Sequence, residues 1–170
     1  MTSLDATFMT HRFGFASVLT NWVNQIWCVF MQLFRLSFVH AKCNRWGHQI
    51  LWDDLRSICT NGPWVVGRDF NIISSISKWK GGATPKLKSM EEFNEYIEGF
   101  CLMDPIYEGS PYTWTNKRGL WQRLDRVLVS NTLLDVYPTI QVQYLNCVNL
   151  EQYPLFLTAS NLCTKGMSTF

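Results

Sequence analysis

Apolar and polar positions along this chain fall into short alternating blocks, broken by two longer blocks with helical spacing. Residues 35–40 set Leu36, Phe38 and His40 against Ser37 and Val39, the period-two pattern of a strand. Residues 45–59 place Leu51, Leu55, Ile58 and Cys59 on one helical face, with Asp53, Asp54 and Arg56 opposite, and Asn61-Gly62-Pro63 stops the helix. Residues 64–66 form a short apolar strand that runs into a loop at Asp69, and residues 74–88 make a long polar loop. Ser89-Met90-Glu91-Glu92 has the form of a capping box, opening a helix to about Phe100 with Phe93, Ile97, Phe100 and Cys101 inward. Gly109-Ser110-Pro111 is a turn; strands then fit residues 112–115, 123–129, 139–145 and 155–159, a short helix fits 132–137, and the tail frays from Ser160. Strands interleaved with helices, followed by a strand-rich end, predict a mixed α/β sandwich.

Composition narrows this only in part. At 170 residues and 47% hydrophobic, the chain is one domain with enough apolar material for a core. A net charge of +2 is too small to argue nucleic-acid binding by itself. The six cysteines (Cys28, Cys43, Cys59, Cys101, Cys147, Cys163) show no CxxC and no paired spacing with histidine. That argues against a structural zinc site or a disulfide framework, and for reduced, mostly buried thiols. Between Asp5 and Asp53 there is no Asp or Glu, so a carboxylate metal site must be assembled from later residues or from Asp5. The stretch between Phe15 and Phe34 is uncharged and has the length of a membrane span, but Asn21, Asn24, Gln25 and Gln32 are costly in hydrocarbon and no small-residue cleavage site follows.

The densest chemistry lies at Asp69-Phe70-Asn71, where an apolar strand ends on an Asp and an Asn one residue apart. An Asp there can take a proton from an attacking water, and an Asn amide can donate to oxygens that gain charge in phosphodiester cleavage. The same residues also end strands because their side chains bond nearby backbone. The loop holding Lys78, Lys80, Lys86 and Lys88 contains no acid and could track a phosphate backbone; the competing reading is a solvated surface loop.

The order of polar marks at strand ends is more specific than any one of them: Asp69-Phe70-Asn71, then Tyr112-Thr113-Trp114-Thr115-Asn116, then Arg123-Leu124-Asp125-Arg126, then Asn149-Leu150-Glu151-Gln152-Tyr153-Pro154. This order resembles the endonuclease/exonuclease/phosphatase superfamily with the DNase I-like fold, above all the endonuclease domain of plant LINE-type (non-LTR) retrotransposons. Phe38-Val39-His40-Ala41-Lys42-Cys43 and Leu51-Trp52-Asp53-Asp54-Leu55 match the same group. The resemblance spans residues 36–161, leaving an apolar segment over 1–35 that does not match and a tail over 162–170. It implies a four-layered α/β sandwich, incomplete in its N-terminal half, and Mg²⁺-dependent cleavage of DNA phosphodiesters in the nucleus or cytoplasm. Carried over by position, Asp69 orients and activates water, Asn71 steadies the phosphate, and Asp125 helps build the site near the terminal motif. Thr113 and Trp114 line the substrate cleft, and Lys78, Lys80, Lys117, Arg118 and Arg123 are the candidate nucleic-acid contacts.

Four departures from the family pattern point to lost catalysis. The terminal Ser-Asp-His reads Leu150-Glu151-Gln152 here. Gln152, at the His position, can donate a hydrogen bond but carries no proton or charge near neutral pH. Glu151 stands as the one candidate metal ligand in that motif, a methylene longer than the family's Asp. Arg68 replaces the Gly before the Asp, and His40 stands at the active-site Tyr position. Finally, no Glu precedes Asp53 to serve as the early metal ligand, which weakens any Mg²⁺ site. These features predict a truncated, inactive copy of a retroelement endonuclease. Two alternatives stand beside it: a non-catalytic nucleic-acid-binding module, and a small membrane-associated protein anchored between Phe15 and Phe34. At single positions, Asp125 could instead pair with Arg123 or Arg126, and His40 could be a satisfied half-buried histidine.

Overall fold

The computed structural model describes residues 17–20, 25–30, 34–82, 84–145 and 155–161, and the account below concerns these. Their centre is a six-stranded sheet of order β1-β2-β3-β4-β10-β6. Its strands are β1 (Ser17–Thr20), β2 (Gln25–Phe30), β3 (Arg35–His40), β4 (Trp64–Asp69), β6 (Leu102–Met103) and β10 (Asp125–Ser130). β3 and β4 run parallel, joined by helix α1 (Arg45–Ile58); β10 lies antiparallel to both of its neighbours. Parallel neighbours need such a crossover, so the α1 pattern and the β3–β4 pairing form one unit.

The apolar pattern dictates the layers. In β10, Leu128 joins a core of Leu51, Trp52 and Leu55 from α1 and Phe93 and Tyr96 from helix α2 (Leu87–Gly99). Val127 and Val129, one residue to either side, join a second core with Val142 and Tyr144 of strand β11 (Thr139–Tyr144) and Leu133 of helix α3 (Asn131–Val136). β11 is the middle of a three-stranded sheet, between β12 (Leu155–Ser160) and β7 (Tyr107–Glu108). Helices, large sheet and small sheet thus make three of the four layers expected. The outward positions of the small sheet, Gln141, Gln143, Phe156 and Thr158, are exposed. A third sheet, a short ribbon of order β5-β9-β8, consists of β5 (Trp79–Lys80), β8 (Trp114–Thr115) and β9 (Trp121–Gln122).

Several expectations need correction. Part of the unmatched segment 1–35 forms β1 and β2, which continue the sheet from β3 with all six residues of β2 paired. No helix among the described residues is long and apolar enough to cross a membrane. The capping box at Ser89 does not form: α2 begins two residues earlier, its N-cap Lys86 makes no side-chain cap bond, and Ser89 is buried. α1 is capped instead by Asn44, whose side chain accepts from the Gly47 amide at 2.8 Å. The inward face of α2 carries Tyr96, while Cys101 is exposed, as are Cys59 and Cys43; Cys28 is buried, and Cys147 and Cys163 lie outside the described residues. The helical period is ambiguous by one residue here because Tyr96 and Trp52 are amphipathic and can sit on either side of a boundary.

The helix-side core is an aromatic stack. Trp52 lies 4.5 Å from Tyr96 and 5.4 Å from Phe93, and Phe93 lies 5.3 Å from Phe70, the residue between Asp69 and Asn71. Phe93 is fully buried at the centre of that chain of rings. Phe93→Ala should therefore cost about 3–5 kcal/mol through reduced burial and a residual cavity. Urea unfolding should show it as a lower midpoint with an unchanged slope.

Candidate active site

Strand pairing brings the polar ends of three strands into one row. His40 of β3 is the register partner of Asp69 of β4, and Asp69 is the register partner of Asp125 of β10. Residues directly opposite in an antiparallel pair hold their Cβ atoms about 4.5–5.5 Å apart on one face, and like charges there repel. His40 Nδ1 sits 3.5 Å from Asp69 Oδ2, with the His40 side chain 46% exposed. His40 is thus a solvent-facing partner of a carboxylate, not a half-buried histidine.

Asp69 is organised by its own loop. The Asn71 backbone N–H donates to Asp69 Oδ1 at 2.9 Å. The Asn71 side-chain amide donates to the Ala41 carbonyl at 2.7 Å and to Asp69 Oδ2 at 3.2 Å. Both amide hydrogens are therefore committed inward, so the phosphate-steadying role expected of Asn71 needs one of these bonds to break. Asn71 holds this position at φ 51°, a left-handed conformation that Asn tolerates. From behind, buried His48 Nε2 meets the Phe70 carbonyl at 3.1 Å, a contact the sequence did not signal except by placing His48 one turn before Trp52.

Asp125 is held by Thr113, which is fully buried and does not line an open cleft. Thr113 Oγ1 accepts the amides of Leu124 and Asp125, each at 2.9 Å. The arginines that could have paired with Asp125 turn elsewhere. Arg123, 2% exposed, makes a two-pronged contact with Asp104 at 2.8 and 2.9 Å and donates to Tyr144 Oη at 3.1 Å. Arg126, wholly buried, reaches Asp104 at 3.0 Å and Ser74 Oγ at 2.7 Å. Arg123 is thus a core residue and not a nucleic-acid contact.

Left with a carboxylate neighbour, Asp125 is hard to ionise. Burial and then the Asp69 charge push its pKa up to about 6, against a smaller opposite pull from the Thr113 hydroxyl and the Arg68 charge. Burial raises Asp69 as well, offset in part by Asn71, His40 and Arg68. Arg68 has φ 105°, a region that only glycine adopts without strain. An arginine there holds its backbone at a cost, and its charge acts on both carboxylates.

Mg²⁺ takes an octahedral shell of oxygens, built from one or two carboxylates with waters and phosphate. Asp69 is already bonded by Asn71 and paired with His40, Arg68 supplies positive charge to the same row, and among the described residues no three His, Cys, Asp or Glu side chains form a ligand set. Asp69 and Asp125 meet that minimum of carboxylates, but the Arg68 charge beside them works against a divalent cation, so the described residues fit a Mg²⁺ centre poorly. Glu151 and Gln152 lie outside the described residues.

The basic candidates separate into two groups. Lys78 is tied down, its Nζ donating to Tyr107 Oη at 2.9 Å. Lys80, Trp114, Lys117 and Arg118 belong to the ribbon β5-β9-β8 and its 116–119 loop, where all four are exposed. Trp121, not singled out from sequence, faces solvent there at 38% and pairs with Lys80. At the ribbon tips, Gly81 at φ 76° packs so closely that a Cβ would fall 2.1 Å from the Gly119 carbonyl oxygen. The ribbon is continuous with the row, since the Thr113 amide donates to the Gln122 carbonyl at 2.9 Å.

No protein-family model matches the chain, and no curated protein matches it. Solved structures do. A 3'-5' exonuclease, NExo, from Neisseria meningitidis aligns with a TM-score of 0.63 at 19% identity, over 79% of this chain and 64% of that one. The same 3' phosphatase from Neisseria bound to a product DNA hairpin gives 0.60 at 19% identity, over 79% of this chain and 64% of that one. The endonuclease domain of TRAS1, a telomere-specific non-LTR retrotransposon, gives 0.55 at 11% identity, over 82% of this chain and 64% of that one. The fold is therefore the DNase I-like α/β sandwich of endonuclease/exonuclease/phosphatase proteins, and this chain spans less than two thirds of the length of these neighbours.

The Asp125 shift has a definite sign for stability. An ordinary Asp ionises near 3.8, so between about pH 4 and pH 6 the folded protein keeps a proton that the unfolded chain has released. This site's contribution is greatest below pH 4 and is lost as pH rises through 6. Asp125→Asn should remove that loss, raising stability at pH 7 by roughly 2–3 kcal/mol relative to its effect at pH 4. Urea unfolding of both proteins at the two pH values checks it.

Proposed function

We propose that this chain is a partial endonuclease domain of the retrotransposon type that binds DNA phosphodiesters without cutting them efficiently. The observation that carries the reading is the row itself. The Asp69–Asp125 pair is in place, but both carboxylates resist ionisation, and the Arg68 charge lies beside them with no third acidic ligand among the described residues. A cation beside two carboxylates weakens their hold on a Mg²⁺ ion, which would otherwise draw water and phosphate together. The retrotransposon assignment rests on the motif order and on the likeness to the TRAS1 domain. DNA as partner is supported by the Neisseria neighbour bound to a DNA hairpin and by the exposed ribbon carrying Lys80, Trp114, Lys117, Arg118 and Trp121. Cations there can contact phosphates, and aromatic faces can stack on bases.

The test is nicking of supercoiled plasmid in Mg²⁺, paired with Asp69→Ala, alongside duplex DNA binding measured from low to moderate salt. The expected outcome is no nicking above the mutant, and affinity that falls steeply with salt. Replacing Lys80, Lys117 and Arg118 together by Ala should lower the log–log salt slope by about 2–3, at about 0.9 for each phosphate no longer neutralised. Mg²⁺-dependent nicking that Asp69→Ala abolishes would show that Glu151 or another residue completes a working site. A flat salt response would remove DNA as the partner.

A further inference from the structure

Two dipeptides in this chain set a hydroxyl residue before a proline, Thr84-Pro85 and Ser110-Pro111. They differ in what the hydroxyl is free to do. Ser110 Oγ donates to the Tyr112 carbonyl at 2.6 Å and accepts the Tyr112 amide at 3.2 Å, in a half-buried turn. Thr84 is exposed, and its hydroxyl has no hydrogen-bond partner among the described residues. Proline biases the residue before it toward extended backbone, the form in which a peptide enters an enzyme cleft. Thr84 lies in neither helix nor strand, three residues before α2 begins at Leu87.

Thr84 also lies close to the exposed ribbon. Gly81 packs against the Gly119 carbonyl, and a Cβ on Gly82 would fall 3.1 Å from Leu120 Cδ1. Both glycines therefore meet the turn that carries Lys117 and Arg118. At about 3.8 Å per peptide, the Cα of Thr84 lies within about 7.6 Å of that of Gly82. Lys80, the last residue of β5, directly precedes Gly81. The charge in this stretch is all of one sign: residues 70–90 hold Lys78, Lys80, Lys86 and Lys88 and no Asp or Glu. Lys78 is held by Tyr107, whereas Lys80, Lys86 and Lys88 are exposed.

We propose that Thr84 is a phosphorylation site for a proline-directed protein kinase, and that its phosphate turns off the DNA-binding ribbon; the second half rests on the DNA reading given above. Thr84 Oγ attacks the γ-phosphorus of ATP, and its proton passes to a carboxylate base of the kinase. A new O–P bond forms, the bond from the γ-phosphorus to the bridging oxygen breaks, and ADP leaves. The product carries about −1.5 to −2 charges at neutral pH and three strong acceptor oxygens. Lys80, Lys117 and Arg118 then face a phosphate of their own chain and have less charge to give to those of DNA. The DNA backbone also meets repulsion at the same place.

The experiment treats the full chain with a proline-directed kinase and ATP and locates the phosphate by mass spectrometry after trypsin. Cleavage after Lys80 and Lys86 isolates residues 81–86, in which Thr84 is the sole hydroxyl residue. Duplex DNA binding is measured before and after treatment, from low to moderate salt. Phosphate is expected on that peptide, absent in Thr84→Ala and retained in Ser110→Ala. Binding should weaken, with a log–log salt slope smaller by about 2, at about 0.9 for each of two cations withdrawn from DNA. Treated Thr84→Ala should bind as the untreated protein does. A folded chain that takes no phosphate at Thr84 overturns the proposal, and so does a phosphorylated chain whose affinity and slope are unchanged. An untreated chain that binds no DNA overturns the DNA reading instead, and the switch falls with it.

Discussion

The antiparallel register of β4 against β10 sets Asp69 directly across from Asp125, and the rest of the site depends on that alignment. Side chains alternate faces along a strand, so a slip of one residue would turn Asp125 toward the helices and Arg126 toward the small sheet. The register is held from both faces at once. Leu128 is locked into the aromatic core under α1 and α2, and Val127 and Val129 into the core against β11. Hydrophobic packing thus enforces a juxtaposition of two carboxylates that electrostatics alone would oppose.

Arg68 relieves the opposition only in part, and Arg123 and Arg126 do not, because these are engaged elsewhere. Arg123 and Arg126 share Asp104, and Arg123 lies 3.8 Å from the centre of the Tyr107 ring. Burial pulls the Arg126 pKa down to about 10, still well above neutrality, so both guanidiniums remain charged in the interior. The arrangement stitches the helix layer to the small sheet: Arg126 lies over Phe93 of α2, and Arg123 bonds Tyr144 of β11. It also leaves Asp125 to Thr113, to its like-charged neighbour and to the partial offset of the Arg68 charge.

Much of the fold was legible in the chain. β3, α1, α3 and β11 lie within a residue or two of where periodicity puts them, because each has one strongly apolar face and a clear stop. β5 through β9 were largely missed or blurred, since strands of two residues have no period to read. β1 and β2 were missed for another reason: an uncharged run rich in aromatics fits a membrane span, a buried segment or edge strands equally well. At the site, the sequence placed Asp69, Asn71, His40 and Asp125 together through motif order. It could not show that Asn71 commits its amide to Ala41, or that Arg123 belongs to Asp104, because partner choice is settled by register and not by spacing.

The Asp104 arrangement also constrains how this chain can change over generations. Losing Asp104 alone would strand two buried guanidiniums, and losing either arginine would leave the other and the partly exposed Asp104 with an incomplete set of partners. The three positions are therefore bound to drift together or not at all. His40 is exposed and Asn71 only half-buried, so neither is bound to the core in this way. Where selection on the row is relaxed, His40 and Asn71 would change first, and Asp104 with its two arginines would outlast them as the more durable mark of descent.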